Sequence, residues 1–220
     1  MENQYVLEKW EWTENDFDDM GWHDCPIYAI RFDDNIYFDI DYIFKWNDEG
    51  TGNSFTFWIA PATLIFENSY YLKIDVALDF INGIEIAKIS KSENEKKEII
   101  WDISTQKGEI LIGAQTYRQI IRRSPSFQFF QYVPIEERGN ISFSTLSDKD
   151  YQNSNYVKIK KNDDLRLYEL VKKKTSLVFQ QDMLNREKLG TKEYLIEKRK
   201  IDQTVSKIET QIKGTKFENW

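Results

Sequence analysis

The chain has 220 residues, 15 % of them aromatic, with 37 acidic against 30 basic side chains and few glycines or prolines. That length holds one large domain or two small ones, and the aromatic content suits pleated, half-buried strands rather than long disordered stretches. A single cysteine excludes an internal disulfide and fits a reducing compartment; residues 1–5 lack a secretory pattern and no apolar run reaches the roughly 20 residues of a membrane span, so the expected location is cytoplasmic.

The charge is uneven along the chain. Residues 1–150 carry 27 acidic and 14 basic side chains, a net of −13, whereas residues 151–220 carry 10 and 16, a net of +6. Such a shift marks two parts with different jobs, or two parts that attract each other. It divides the chain into an acidic domain, 1–150, and a basic tail, 151–220. The acidic part is a poor match for phosphate backbones, which need cationic surface.

Taken in order, residues 1–20 are polar, with Trp10 and Trp12 among them and a cluster of Glu14, Asp16, Asp18 and Asp19. That cluster is either a calcium site or a solvated turn, and it lacks the ligand order of a calcium loop. Residues 27–32 and 36–46 flank the turn Asp33-Asp34-Asn35 and predict a hairpin. In the second run Ile36, Phe38, Ile40, Tyr42 and Phe44 share one face, and Tyr37, Asp39, Asp41, Ile43 and Lys45 share the other.

A loop at 47–53 precedes a strand at 55–60 that is expected to stop near Pro61. Residues 63–66 follow, then a turn at Glu67-Asn68-Ser69. A second alternating run, 71–80, puts Leu72, Ile74, Val76 and Leu78 on one face. Short strands are expected at 84–89, 99–103 and 109–115, the last two joined through Gln106-Lys107-Gly108. Residues 115–123 read as strand or helix, with strand preferred; 127–133 and 141–143 predict a last hairpin. The spacing gives a mainly β domain, an antiparallel sandwich or curled sheet.

Beyond residues 147–155 the period changes from two to three and four. Asn162 or Asp163 is the expected cap of a helix carrying Leu167, Leu170, Leu177 and Leu184. Gly190 is a plausible stop and Thr191 a cap for a second helix with Tyr194, Ile201, Val205, Ile208 and Ile212 on one stripe. The result is a C-terminal α-helical hairpin, or one interrupted helix, and an α+β class overall.

The chain's only histidine and cysteine sit together in Trp22-His23-Asp24-Cys25. On a strand, His23 and Cys25 would share a face, which suits a zinc ligand pair or a thiolate–imidazole pair. Otherwise Cys25 is a small buried hydrophobe and His23 a turn residue. Asp39 and Asp41 are neighbours on one strand face, able to share a proton or a metal, or simply to form a charged outer face. Asp75 and Asp79 repeat that pattern. Arg118, Arg122 and Arg123 are the dense basic spot of the first part, for an anionic partner or for the protein's own carboxylates. Lys172-Lys173-Lys174 and Lys198-Arg199-Lys200 lie among Glu and Asp and fit a solvated helix face better than a nucleic-acid surface.

Residues 20–145 resemble a group of bacterial β-rich proteins through Trp22-His23-Asp24-Cys25, Phe38-Asp39-Ile40-Asp41-Tyr42-Ile43, residues 61–68, Leu72-Lys73-Ile74 and Gly108-Glu109-Ile110. In outline they are also similar to immunity proteins of bacterial polymorphic-toxin systems, through Leu64, Phe66, Leu72 and Ile74. The resemblance implies a fold and a mode of action by occlusion: an acidic, aromatic-bearing face covering a basic toxin, with no catalytic residue and no cofactor. Trp10, Trp12, Asp39, Asp41, Arg118 and Arg122 are the candidate binding residues. Two other readings stand beside it: a metal- or thiol-dependent enzyme centred on His23, Asp24 and Cys25, and a homo-oligomer assembled through residues 163–213.

Overall fold

In the computed structural model the alternating segments pair into one antiparallel sheet. The structure describes residues 5–48, 55–77, 83–150, 155–187 and 190–219, with side chains of the first long helix from 161 to 186. The strands are β1 (Glu11–Thr13), β2 (Cys25–Phe32), β3 (Ile36–Asp48), β4 (Phe55–Val76), β5 (Ile84–Glu93), β6 (Ile99–Thr105), β7 (Gly108–Ile121) and β8 (Ser126–Gln128). Pairing runs β2–β3–β4–β7–β6–β5 and returns from β5 to β2 through Cys25↔Ile86 and Ile27↔Ile84, so the curled sheet closes into a six-stranded barrel. Closure removes the free edges that an open sheet would expose.

Two short strands finish the job. β8 pairs with Phe57, Trp58 and Ile59 on β4, and β1 with Arg118, Gln119 and Ile120 on β7. The barrel interior takes the alternate residues that the sequence marks as apolar: Phe38, Ile40 and Tyr42 from β3, Leu64 and Phe66 from β4, Trp101, Ile103, Ile110 and Ile112 from β6 and β7. At its centre Trp101 meets Phe17, Phe66 and Tyr117 at ring separations of 5.5, 5.7 and 5.3 Å, and its indole N–H donates to the Ala114 carbonyl at 3.1 Å.

Three expectations are corrected here. β4 does not stop at Pro61. Its carbonyl accepts from the Arg122 amide at 3.0 Å, on the side where β4 changes partner from β8 to β7, so the missing N–H falls in the gap between two ladders. The Glu67-Asn68-Ser69 signal is not a chain reversal. It is a bulge within β4, with Asn68 at φ 51° and the register slipping between Ser69 and Tyr71. The last hairpin, 127–133 with 141–143, is absent among the described residues; in its place stand β8, the single turn α1 (Ile135–Arg138) and extended chain. Residues 115–121 belong to β7, and Leu78 and Asp79 lie outside the described residues.

A second compact unit holds α2 (Asn155–Glu187) and α3 (Lys192–Ile212). α2 begins at Asn155, before the expected cap; Asn162 and Asp163 are exposed positions within it. α3 starts as the sequence predicts: the Tyr194 amide donates to Thr191 Oγ1 at 3.0 Å, one residue after Gly190 at φ 87°. The helices pack as an antiparallel hairpin, tied by Gln181 to Asp202 at 2.8 Å and Tyr194 to Asn185 at 2.7 Å. After α3 the chain turns back to bury Phe217 and pair Lys216 with Asp164 at 2.5 Å. No described helix is long and apolar enough to cross a membrane.

Candidate functional site

Asp39 and Asp41 sit on the outer face of β3, as the alternation requires, yet both are 0 % exposed. The segment after β7 crosses that face and supplies their partners. Arg138, at the end of α1, donates through Nη1 to Asp39 at 3.1 Å and through Nε to Asp41 at 2.9 Å; Arg122 donates to Asp39 at 2.5 Å. The Ser142 amide reaches Asp39 at 3.0 Å, and the Val133 amide and Tyr28 hydroxyl reach Asp41 at 2.7 and 2.8 Å. The Arg138 guanidinium also lies 3.9 Å from the centre of the Tyr28 ring. Burial pushes the Asp41 carboxyl above its usual range, against the pull of Arg138, and pushes Arg122 below its own. Burial works on Arg138 too, but its two carboxylates hold it above the ordinary value.

These four ions therefore lock the crossing segment to the barrel. They are unavailable to a partner, so Asp39, Asp41 and Arg122 are corrected from binding-face candidates to internal ones. The pairing of Arg122 with the protein's own carboxylates is the alternative that the structure takes. Arg118 does likewise, bonding Glu67 at 2.6 Å and Glu11 at 3.4 Å. Arg138 was missed. Its only sequence signal is a basic residue between turn formers, and nothing local says that it closes over two carboxylates about a hundred positions earlier.

The segment Trp22-His23-Asp24-Cys25 is a tight turn rather than strand. The Cys25 amide donates to the Trp22 carbonyl at 3.1 Å, and Asp24 takes φ 60°, which Asp tolerates better than most residues. The turn points its ends inward and His23 outward. Trp22 is buried and donates to Gln119 Oε1 at 2.9 Å; Cys25 is 0 % exposed. His23 is outside, its side chain 66 % exposed. The shared face expected for His23 and Cys25 is thus overturned. Among the described residues no group of three or more His, Cys, Asp and Glu is placed to hold a metal.

Burial pushes the Cys25 thiol up to about 12, so it carries no thiolate at neutral pH. Iodoacetamide at neutral pH is expected to spare Cys25 in the folded chain and to modify it in urea. The same burial has a sign in pH. The folded thiol stays neutral while the unfolded one ionises from its ordinary 9.0, so stability falls above that pH. From this group alone the loss is about 1.4 kcal/mol per pH unit. Buried Tyr42 and Tyr117 are raised as well and steepen it. Labelling of the native thiol, or a flat alkaline stability profile, would contradict the placement.

The remaining candidates are engaged. Trp10 and Trp12 are partly buried against the core, each with a lysine over its ring, Lys149 at 5.9 Å and Lys9 at 5.2 Å. The acidic cluster forms a 3-10 turn, Glu14–Asp19, in which Asp16 pairs with Lys9 and Glu14 with Lys91.

No family model, curated protein or solved structure matches this chain. The site must be read from its own surface.

One surface feature stands out at the turn. His23 stacks on Trp46 at 6.0 Å and 22° between planes, and Trp46, 37 % exposed, rests edge-on against Phe55 and Phe57. Asp24 is pinned beside them by Gln131 Nε2 at 2.8 Å. That bond places the segment around Gln131 next to the stack, where Phe130 and the half-exposed Tyr132 stack at 5.6 Å. Burial foremost, and then the nearby Asp24, push the Glu85 carboxyl up. Rigid aromatic planes beside clustered carboxylates can take a cationic side chain by ring contact and ion pairing at once.

Proposed function

We propose that this chain is a binding protein that acts by protein–protein contact, taking a basic protein surface at the rim formed by His23, Asp24, Trp46, Glu85, Gln131 and Tyr132. The observation that carries the reading is the exposed His23–Trp46 stack with Asp24 fixed beside it, on a domain of net charge −13. Exposed rigid aromatics anchor protein interfaces, and a field of one sign steers an oppositely charged partner to them. A bacterial toxin with a basic active site, blocked by occlusion, is the partner class that the resemblance to immunity proteins suggests.

The test is affinity capture from a native lysate with the intact protein and its Trp46→Ala and Asp24→Asn variants. A basic protein is expected on the unmodified chain. Its affinity should fall by about 30-fold on Trp46→Ala, the loss of a hot-spot aromatic, and less on Asp24→Asn, with the Asn effect fading at high salt. Identical capture by all three proteins would remove the rim from consideration.

A further inference from the structure

Backbone contacts hold the acids of the rim in place. The Asp24 amide donates to the Ile86 carbonyl at 2.8 Å, and Cys25 and Ile86, paired across β2 and β5, both turn into the barrel. Glu85, the preceding residue of β5, therefore stands on the outer face, close enough to Asp24 to feel its charge. His23 Nδ1 lies 3.3 Å from the Ala87 carbonyl, which ties the same stretch of β5 to the stack on Trp46.

These carboxylates are short of donors. Asp24 Oδ2 accepts from Gln131, but Oδ1 stands 3.6 Å from His23 Nε2 and takes no hydrogen bond among the described residues. Glu85 is half-buried, and among the described residues its carboxylate has neither a hydrogen bond nor an ion pair; Lys107 attracts it from farther away. Other acids of the barrel are answered directly, Glu14 by Lys91, Asp16 by Lys9 and Glu67 by Arg118. The rim thus sets three open carboxylate oxygens beside one exposed aromatic layer.

The chain itself shows which cation fits a ring and a carboxylate together. Arg138 lies 3.9 Å from the centre of the Tyr28 ring while bonding Asp41 at 2.9 Å, and Arg31 lies 3.9 Å from Tyr37 while pairing with Asp33 at 3.3 Å. Lysines stand farther off, at 5.2 Å over Trp12 and 5.5 Å over Trp101. The reason is shape. A guanidinium is flat, lies on a ring and still presents N–H groups in its plane to a carboxylate, whereas an ammonium is a strongly hydrated point charge. We propose that the rim selects an arginine side chain of its basic partner, the guanidinium forked onto Glu85, within reach of Asp24 Oδ1 and resting against the His23–Trp46 stack. The inference rests on the binding role of the rim and adds the residue type that the rim reads.

Titration of the full chain at constant pH with two blocked tripeptides, acetyl-Gly-Arg-Gly-amide and acetyl-Gly-Lys-Gly-amide, tests it, followed through the NMR signals of His23, the chain's sole imidazole. The arginine peptide should move those signals to saturation, with a dissociation constant at least about 5-fold below that of the lysine peptide. Glu85→Gln should weaken the arginine peptide about 10-fold, through loss of the forked pair. Glu95→Gln removes an equal charge from the exposed turn after β5 and should leave both affinities unchanged. The comparison of the two peptides on the unmodified chain needs no variant, so it stands even where a substitution disturbs the fold. Equal affinity for the two peptides would overturn the selection of arginine while leaving a basic partner at the rim, and so would an equal loss in Glu95→Gln. Unmoved His23 signals with both peptides would overturn the arginine site outright, and Trp46-dependent capture would then decide the wider reading by itself.

Discussion

Arg138→Leu is expected to cost the barrel unit about 3–5 kcal/mol, most or all of the margin of a small domain. The substitution keeps the bulk of the buried stem but removes the charge shared by Asp39 and Asp41, which would stay buried with Arg122 as the remaining cation. Removing one partner of a buried pair is far more damaging than removing all of them, because the penalty comes from the ion left behind. The double change Asp41→Asn, Arg138→Leu leaves Asp39 paired with Arg122 and is therefore expected to recover part of the loss. Urea unfolding followed by tryptophan fluorescence measures both. A single Arg138→Leu variant within 1 kcal/mol of the parent, on the order of a surface ion pair, would mean that the crossing segment is held by something other than these ions.

Trp101→Ala should be the next most damaging single change, at about 3–5 kcal/mol. Trp101 is 0 % exposed and fills the middle of the barrel against Phe17, Phe66 and Tyr117. Alanine leaves a cavity that a closed barrel cannot collapse into, since its wall is tied by ladder hydrogen bonds on both sides of β6. It also leaves the Ala114 carbonyl without the indole N–H. Trp101→Phe keeps a ring in the space and should cost roughly half as much. Thermal unfolding of the three proteins gives the order; equal midpoints for Ala and Phe would argue that the site repacks.

The two variants probe two different links between sequence and structure. Trp101 acts through volume, which the alternation around it already implies. Arg138 acts through a contact between residues about a hundred positions apart, which no local pattern encodes. The rim around His23 belongs to the second kind. Trp46, Asp24 and Gln131 come from β3, the turn before β2 and the segment after β8, and only the folded chain sets them side by side.

What the sequence by itself determined is the local order. Period-two alternation in residues 36–46 named the inward residues of β3, the Gln106-Lys107-Gly108 turn placed the β6–β7 hairpin, and Gly190 with Thr191 placed the start of α3. These rest on steric and capping preferences that act over a few residues. Tertiary structure decided the rest. Closure of the sheet depends on β5 returning to β2, and the passage of β4 through Pro61 depends on where its neighbours end. The fate of Asp39 and Asp41 shows the difference most plainly. Alternation could say that they point away from the barrel, but whether that face meets water or two arginines is a matter of which distant segment covers it. Covering is a long-range event, helped by the burial of Phe129 and Val133 in the covering segment and fixed by the donors that the segment carries.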